Sequence, residues 1–191
     1  RQIRSSLEAN RSLLGVYAVF EPNALDGKDE LFIDQESLGS NDTGRFSIYW
    51  SQDEKGELSA ETMKEETLND STPGISGTAY NAWYTCPRES KRACLLEPYI
   101  DDTAGVKILM TSIAFPLIQN DKVIGVLGVD ISLASLQELS TSAHKSLFDG
   151  AGHISIISPA GLLAGHSRDS SLLGGKLDAA FSDQHSEMLR L

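Results

Sequence analysis

The stretch VKILMTSIAFPLIQNDKVIGVLGVDIS, residues 106–132, decides the fold of this 191-residue chain. Two long runs within it, residues 106–118 and 123–131, are rich in the aliphatic and β-branched side chains that are typical of strands. The four polar residues between the runs, 119–122, predict a tight turn. Strands joined by so short a connection pair antiparallel, so the stretch predicts a long β-hairpin at the centre of the domain.

A helix is predicted directly after this hairpin, over residues 132–148. Its apolar side chains recur at helical spacing and form one face, which consists of Leu133, Leu136, Leu139, Ala143 and Leu147. After Gly150 the strand pattern starts again, with predicted strands at 153–158 and 162–165 around a Pro159-Ala160-Gly161 turn. The residues that follow contain no obvious closing strands, so we expect the chain to hold only the beginning of a second module.

Upstream of the hairpin the sequence predicts one helix and two strands. Residues 2–14 carry apolar side chains near helical spacing, and 15–20 form a β-rich run. Residues 44–50 alternate cleanly, which predicts a half-buried strand with Phe46, Ile48 and Trp50 on the core face.

The remaining upstream residues are polar. They predict loops over 23–43 and 51–79, with a short helix near 59–68. Together these elements predict an α+β fold with helices on one side of an antiparallel sheet.

Composition excludes several classes of function. The net charge of −11 argues against nucleic-acid binding, which needs a basic face. The same acidic field favours the approach of cationic ligands, although it also serves solubility. No run of 18 apolar residues and no signal peptide is present, and the chain opens directly in a helical pattern. We therefore expect a piece of a longer protein, with no membrane segment within it.

The two cysteines, Cys86 and Cys94, are separated by polar, turn-like residues. Two paired strands around such a turn would bring the sulfurs within disulfide reach, which would imply an oxidising compartment such as the periplasm. The alternative is a pair of free thiols, and a zinc site would need two further ligands nearby. We predict the disulfide, stapling a strand–turn–strand segment.

Five short motifs, in this order, resemble the double Cache sensor domains. They are Gly44-Arg45-Phe46, Trp83-Tyr84, Glu97-Pro98-Tyr99, the TSIAFP run at 111–116 and the GVLGVDIS run at 125–132. Double Cache domains are paired PAS-like modules outside the membrane in methyl-accepting chemotaxis proteins, sensor kinases and cyclic-dinucleotide enzymes. The resemblance implies a stalk helix that includes residues 1–14, a membrane-distal module at 15–148 and a partial membrane-proximal module at 149–191. It also implies a periplasmic location, a membrane-spanning full receptor and a homodimer of that receptor.

The resemblance also implies a ligand class. In the amino-acid-sensing branch, an arginine two positions before the Trp-Tyr pair grips the ligand carboxylate, and a Tyr-x-Asp and a strand-end Asp take the ammonium. Here Trp83-Tyr84, Tyr99-x-Asp101 and Asp130 are present, but Asn81 occupies the arginine position. Only a guanidinium offers a rigid charged fork for a carboxylate. The chain therefore resembles the amine-sensing branch, whose ligands are polyamines and biogenic amines.

The residues themselves leave two interpretations of Asp130. A carboxylate at the end of an apolar strand is costly to bury unless a cation pairs with it, so a bound ammonium would explain it. Alternatively, Asp130 caps the helix that begins near Ser132, since Asp is favoured just before helix starts. The family pattern favours ligand contact.

Trp83, Tyr84 and Tyr99 are predicted to wall the same site, because aromatic ring faces attract an ammonium. Each of the three could instead belong to the core. Tyr80 and Tyr49 are weaker candidates for the walls, and Trp50 is expected in the core.

Asp101 lies on the same strand face as Tyr99, whereas the adjacent Asp102 points the other way and is expected in solvent. Asp101 is therefore the second predicted ammonium ligand, beside Asp130.

No catalytic motif accompanies these residues. The four histidines have no nucleophile elbow or His-Glu-x-x-His motif beside them, and phosphate and dinucleotide loops are absent. We therefore predict a non-catalytic sensor without a cofactor or metal, whose partner is a small cationic amine. The alternatives are an amino-acid sensor of the same fold, with Arg88 or Arg92 replacing the missing arginine, a hydrolase, and an interaction scaffold.

Overall fold

The structure is a computed structural model that describes residues 2–53, 55–103, 105–147 and 151–180. A seven-stranded antiparallel sheet with the order β3-β2-β1-β7-β6-β4 dominates it, and β5 pairs with β6 beside β4. The strands of this sheet are β1 (Gly15–Phe20), β2 (Ser47–Gln52), β3 (Leu58–Thr62), β4 (Cys94–Leu95), β5 (Tyr99–Thr103), β6 (Val106–Gln119) and β7 (Lys122–Ser132). The described helices are α1 (Gln2–Glu8), α2 (Glu65–Asn69), α3 (Ala82–Ser90), α4 (Leu133–Ser146) and α5 (Leu177–Ala180). No described helix is both long and apolar enough to cross a membrane.

The predicted hairpin is confirmed as β6 and β7, in which residues 110–119 of β6 pair with β7 around Asn120 and Asp121. Both turn residues have positive φ values, 51° and 61°, a region in which Asn and Asp are enriched among non-glycine residues. β7 also pairs with β1 over residues 125–130, so these residues have a neighbouring strand on both sides. This double pairing places β7 inside the sheet.

The first helix is shorter than predicted. α1 ends at Glu8 rather than near residue 14. The Asn10 side-chain amide donates to the Ser6 carbonyl at 2.7 Å, which satisfies a carbonyl at the end of the helix. The backbone then turns through Asn10 and Leu13 into β1. A side chain that binds nearby backbone groups in this way competes with helix continuation.

The alternation over 44–50 correctly predicts a strand, but the predicted core face is wrong. Tyr49 is 4% exposed and faces inward, whereas Trp50 is only half-buried and lies on the opposite face. The Arg4 guanidinium lies 5.4 Å from the centre of the Trp50 ring, so α1 covers this outer face. Because α3 packs on the inner face, through a Tyr17–Trp83 contact, helices lie on both sides of the sheet rather than on one.

The predicted helix near 59–68 is also wrong over its first half. Residues 58–62 form the edge strand β3, and a short helix begins only at Glu65. β3 pairs with β2 along its whole length and so extends the sheet at this edge.

The second module begins as a small hairpin, β8 (Ser155–Ile157) with β9 (Leu163–His166), where strands are predicted. It lies against α4, and the Gln137 side chain pairs with both backbone groups of His166 at 2.6 and 2.8 Å. The predicted module boundary at 148–149 and the end of the predicted partial module, 181–191, lie outside the described residues.

Cys86 and Cys94 are joined by a disulfide. Its setting differs from the predicted strand–turn–strand, because Cys86 belongs to α3 and only Cys94 belongs to a strand, β4. Lys91 ends α3 in the left-handed conformation, which turns the chain back toward the sheet. The disulfide therefore ties α3 to the sheet edge.

Reducing this disulfide should lower the free energy of unfolding, because the unfolded chain regains the entropy of an open loop. The loss should be only about 2–3 kcal/mol, since the closed loop is short. Chemical denaturation with and without reductant, or of a Cys86→Ala/Cys94→Ala double variant, measures the change. Intact-mass measurement of periplasmic protein without reductant should find both thiols blocked. Two free thiols would contradict the pairing.

Candidate ligand-binding site

A pocket of about 230 Å³ lies over the inner face of the sheet, where β1, β2, β3, β5 and β7 meet the start of α3. Its lining consists of aromatic rings, carboxylates and a few smaller side chains: Tyr17, Tyr49, Glu61, Thr62, Met63, Thr67, Tyr80, Trp83, Tyr99, Asp101, Asp102 and Asp130. Four of these residues are acidic, and none is Lys or Arg. The cavity wall is therefore aromatic and negatively charged.

Two rows of residues run across the inner face of the sheet, and four of their members, Tyr17, Tyr49, Glu61 and Asp130, line the pocket. In the first row Gly128, Tyr17, Tyr49 and Glu61 lie side by side on four adjacent strands. In the second row Ser112, Asp130, Gly15 and Ser51 do the same. Both rows face the same side because side chains two positions apart on a strand share a face.

The two glycines in these rows make room for the tyrosines. A Cβ atom at Gly128 would lie 2.1 Å from the Tyr17 ring, and one at Gly15 would lie 2.4 Å from the Tyr49 ring. Each ring thus leans over a strand neighbour that has no side chain. The Tyr17 hydroxyl reaches the Trp83 carbonyl at 3.2 Å, which fixes the start of α3 over the pocket.

Asp130 lies at the deep end and is 3% exposed. Ser112, its neighbour on β6, donates a hydrogen bond to the Asp130 carboxylate at 2.5 Å. The capping alternative does not hold, because Ser132 is the N-cap of α4 and accepts from the Ser135 amide at 3.1 Å. The Asp130 carboxylate therefore faces the pocket and not the helix.

Burial raises the pKa of Asp130, the nearby Asp101 charge raises it as well, and the hydrogen bond from Ser112 lowers it, so that the pKa is about 7. The pKa values of the tyrosine hydroxyls around Asp130 are shifted in the same direction. Burial and then the Asp130 charge raise the pKa of Tyr17, Tyr49 and Tyr99, so these rings stay neutral. No lining residue supplies a balancing positive charge.

The raised pKa of Asp130 predicts a pH-dependent stability. The unfolded chain loses this proton near its ordinary pKa of 3.8 and the folded chain only near 7, so the folded state holds more protons between these values. The free energy of unfolding of the unliganded protein should therefore fall as the pH rises from about 4 through about 7. Asp101 has a raised pKa and acts in the same direction, so the test is the difference between wild type and Asp130→Asn. Urea denaturation at several pH values should give the smaller slope for the variant, and equal slopes would contradict the assignment.

Asp101 lies on β5 with the alternation expected from the sequence. Tyr99 is buried, Ile100 is 48% exposed and Asp101 is partly buried. The Tyr80 hydroxyl donates a short hydrogen bond to Asp101, and the Tyr80 and Tyr99 rings meet edge to face. Burial raises the pKa of Asp101 as well.

Asp102 is exposed, as predicted, yet it lines the mouth of the pocket.

Glu61 and Tyr17 line the pocket although they were not predicted from the sequence. The sequence does not indicate Glu61, because residues 59–68 predict a helix, or Tyr17, because its run is typical of a core strand. Much of the Glu61 side chain is exposed, but partial burial of its carboxylate, and then Asp101 and Asp102, raise its pKa. The sequence does hold one signal for Tyr17. Gly15 and Tyr17 are two positions apart, as are Gly128 and Asp130, so each pair shares one face of its strand.

The predicted aromatic residues divide between two places. Trp83, Tyr99, Tyr80 and Tyr49 line the pocket. The structure places Tyr84 outside the lining, where its hydroxyl donates to Glu21 at 2.5 Å and accepts from Arg45 at 2.7 Å. Consecutive residues on α3 point in different directions, so only one of Trp83 and Tyr84 can face the pocket.

The arginine position of the amino-acid-sensing branch is also outside the lining. Asn81 is 7% exposed and its side-chain amide donates to the Leu68 carbonyl at 3.0 Å. Arg88 stacks on the outer face of the Tyr84 ring at 4.9 Å, and Arg92 is exposed. Neither arginine lines the pocket, so neither replaces the missing guanidinium.

The buried hydroxyl of Tyr49, which lines the pocket, has no hydrogen-bond partner among the residues that the structure describes. Buried polar atoms are normally paired, so unpaired ones beside a cavity are typical of a binding site. Within the same described ranges, no group of three or more His, Cys, Asp or Glu side chains is arranged to hold a metal ion. The arrangement is suited to binding a small polar molecule.

Residues 1–138 match the family model described as methyl-accepting chemotaxis protein-like, first PDC sensor domain. The chain belongs to this family. PDC sensor domains of this family are non-enzymatic receptor domains, in agreement with the prediction from the sequence. The resemblance to chemoreceptor sensor domains is thereby confirmed.

Two named relatives are chemoreceptors of pseudomonads. Methyl-accepting chemotaxis protein TlpQ of Pseudomonas aeruginosa is 56% identical over 191 residues, which are 100% of this chain and 27% of TlpQ. Methyl-accepting chemotaxis protein PscA of Pseudomonas syringae pv. tomato is 33% identical over 99 residues, 52% of this chain and 15% of PscA. The sensor domain thus spans about a quarter or less of the length of these relatives.

Solved structures agree on the fold. Methyl-accepting chemotaxis protein X matches with a TM-score of 0.70 and 27% identity over 97% of this chain and 64% of that one. The periplasmic sensory domain of the Campylobacter jejuni chemoreceptor Tlp1 matches with a TM-score of 0.61 and 17% identity, over 97% and 61%. Such relatives are periplasmic or extracellular sensor domains of membrane-bound chemoreceptors, so the sensor domain is extracytoplasmic.

Proposed function

We propose that this sensor domain binds a small cationic amine, a polyamine or a biogenic amine, in the pocket over its sheet. One observation carries the proposal: the lining contains four carboxylates and no Lys or Arg. Burying Asp130 without a cation is costly, and an ammonium group removes that cost. The acidic charge of the whole chain, −11, acts in the same direction on an approaching cation.

The residues at each end of the pocket have distinct roles in this proposal. Asp130 and Asp101 take ammonium groups, and the Trp83, Tyr99 and Tyr80 rings surround the apolar part of the ligand. Charge-assisted hydrogen bonds contribute about 1.5–3 kcal/mol each and cation–π contacts about 0.5–2 kcal/mol. Together these contributions suffice for roughly micromolar binding after the cost of association.

The amino-acid alternative is disfavoured by the same electrostatics. An α-carboxylate would enter a pocket that already holds Asp101 and Asp130, and no guanidinium is present there to offset the repulsion. Asn81, at the position of the family's arginine, donates its amide to Leu68 instead.

In the longer receptor the occupied pocket would signal across the membrane by favouring one arrangement of the first helix and the second module over another. Residues 15–148 would be the membrane-distal module, 149–191 the start of the membrane-proximal one, and the receptor a homodimer. The output would be chemotaxis.

An amine and its parent amino acid test the proposal directly. 1,4-Diaminobutane should bind at least about tenfold more tightly than ornithine, which differs from it by one carboxylate, because that carboxylate meets two buried negative charges. Titration calorimetry measures both affinities. If ornithine bound as tightly or more tightly, or if no amine in a thermal-shift screen stabilised the protein, the proposed ligand class would be wrong.

A further inference from the structure

The aromatic rings of the pocket have a second side that borders another cavity. Tyr80, Trp83 and Tyr99 line both the ligand pocket and a separate cavity of about 10 Å³. Glu97 forms part of the far wall of this small cavity. The ligand pocket and the small cavity beside Glu97 therefore share three aromatic residues.

Glu97 connects the two modules. One carboxylate oxygen, Oε1, accepts a hydrogen bond from the Ala160 amide at 2.9 Å. Ala160 lies in the turn between β8 and β9, and this turn is closed by a bond from the Gly161 amide to the Ser158 carbonyl at 2.9 Å. The other oxygen, Oε2, is buried and has no hydrogen-bond partner within the described part of the chain. The carboxylate thus bonds to the second module through one oxygen, while its other oxygen is buried without a partner in a residue that lines the small cavity.

Two residues close to Glu97 in the chain, Leu96 through its backbone and Tyr99 through its side chain, are bonded to Ser112, the residue that binds Asp130. The Leu96 amide donates to the Ser112 carbonyl at 2.9 Å, and the Tyr99 hydroxyl shares a hydrogen bond of 2.7 Å with the Ser112 hydroxyl. The same Ser112 hydroxyl donates to Asp130. A change at Asp130 therefore reaches the Glu97 segment through a single serine.

We propose that Glu97 is the positioning residue through which the second module senses whether the pocket is occupied. The inference rests on the proposed function and assigns the regulation of the same site. A ligand that draws the three rings inward removes their packing from behind Glu97 and weakens its bond to Ala160. Cores and interfaces respond to such small shifts in steps rather than continuously.

The contact between Gln137 and the second module behaves differently in this proposal. Gln137 of α4 pairs with the His166 backbone, but its side chain borders neither the ligand pocket nor the small cavity. It therefore docks the β8–β9 hairpin in both states. Gln137→Ala serves as the matched control, because it loosens the hairpin without removing the path from the pocket.

The Ala160 amide proton is a direct probe of this bond. Its chemical shift and hydrogen-exchange rate can be measured by NMR on the 191-residue chain. Saturating 1,4-diaminobutane should accelerate exchange at Ala160 by about threefold or more. Asp130→Asn without any ligand changes the Ser112 bond and should also move the Ala160 signal. In Glu97→Ala both responses should vanish while calorimetric binding of the amine persists, and Glu97→Gln, which keeps an acceptor, should restore them.

Several outcomes would overturn the proposal. One is an Ala160 response of full size in Glu97→Ala, and another is its loss in Gln137→Ala but not in Glu97→Ala. The proposal would also be overturned if neither the chemical shift nor the exchange rate of the Ala160 amide changed, both in wild type with bound amine and in Asp130→Asn. If calorimetry detects no amine binding at all, the proposed function fails, and the ligand-free Asp130→Asn comparison still decides the role of Glu97.

Discussion

Replacing Asp130 by Asn should lower amine affinity by roughly ten-fold to over a hundred-fold, because a charged hydrogen bond becomes a neutral one, a loss of about 1.5–3 kcal/mol. The substitution keeps the shape of a side chain that is 3% exposed and leaves Ser112 a partner. Calorimetric titration of both proteins with 1,4-diaminobutane at neutral pH measures the loss.

The same variant should be at least as stable as the wild type. A buried carboxylate without a cation disfavours the folded state, and its pKa near 7 reflects that cost. Glu61→Gln is the matched control, since it also removes one carboxylate from the lining, but at the exposed mouth, and should cost less affinity. Unfolding of Asp130→Asn would mean that the carboxylate is structural. A folded variant with undiminished affinity would place the amine elsewhere.

Gly128→Ala should damage the pocket without altering any polar group. The new Cβ would lie 2.1 Å from the Tyr17 ring, so the ring must move or the strands must separate. Overpacking of this kind costs about 1–3 kcal/mol of stability. A displaced Tyr17 also loses its bond to the Trp83 carbonyl, and we expect amine affinity to fall by at least about tenfold.

A double-mutant cycle separates the effect of Gly128→Ala on the Tyr17 ring from its effect on the strand itself. In a Tyr17→Ala background the same Gly128→Ala change has no ring to displace and should cost less than about 0.5 kcal/mol. Urea denaturation of the four proteins measures the coupling energy between the two positions. Calorimetry of the wild type and of Gly128→Ala, both with Tyr17 intact, measures the amine affinity. Unchanged stability and affinity in the single variant would refute the steric role of Gly128.

The sequence by itself determined the central hairpin and the helix after it. Long aliphatic runs around a polar turn have few alternatives, and Ser132 offers a local cap for α4. The Tyr99-x-Asp101 spacing also predicts a shared face, since strand geometry places those two side chains on the same side whatever surrounds them. The family motifs indicate the chemoreceptor family for the same reason, because each is a short run of consecutive residues that can be recognised without the tertiary structure.

Only the tertiary structure decided which face of each element meets the pocket. Along β2 and the residue before it, the apolar residues Phe46, Ile48 and Trp50 predict the core face, yet Tyr49 and two serines face inward, because that side of the sheet lines a polar cavity. Tyr84 could not be separated from Trp83 in the sequence, since its partners Glu21 and Arg45 are distant along the chain. The charge at Asp130 is likewise a tertiary property. Its local surroundings are those of any strand end, and it is the packing of five strands and α3 around it that removes water and leaves no cation.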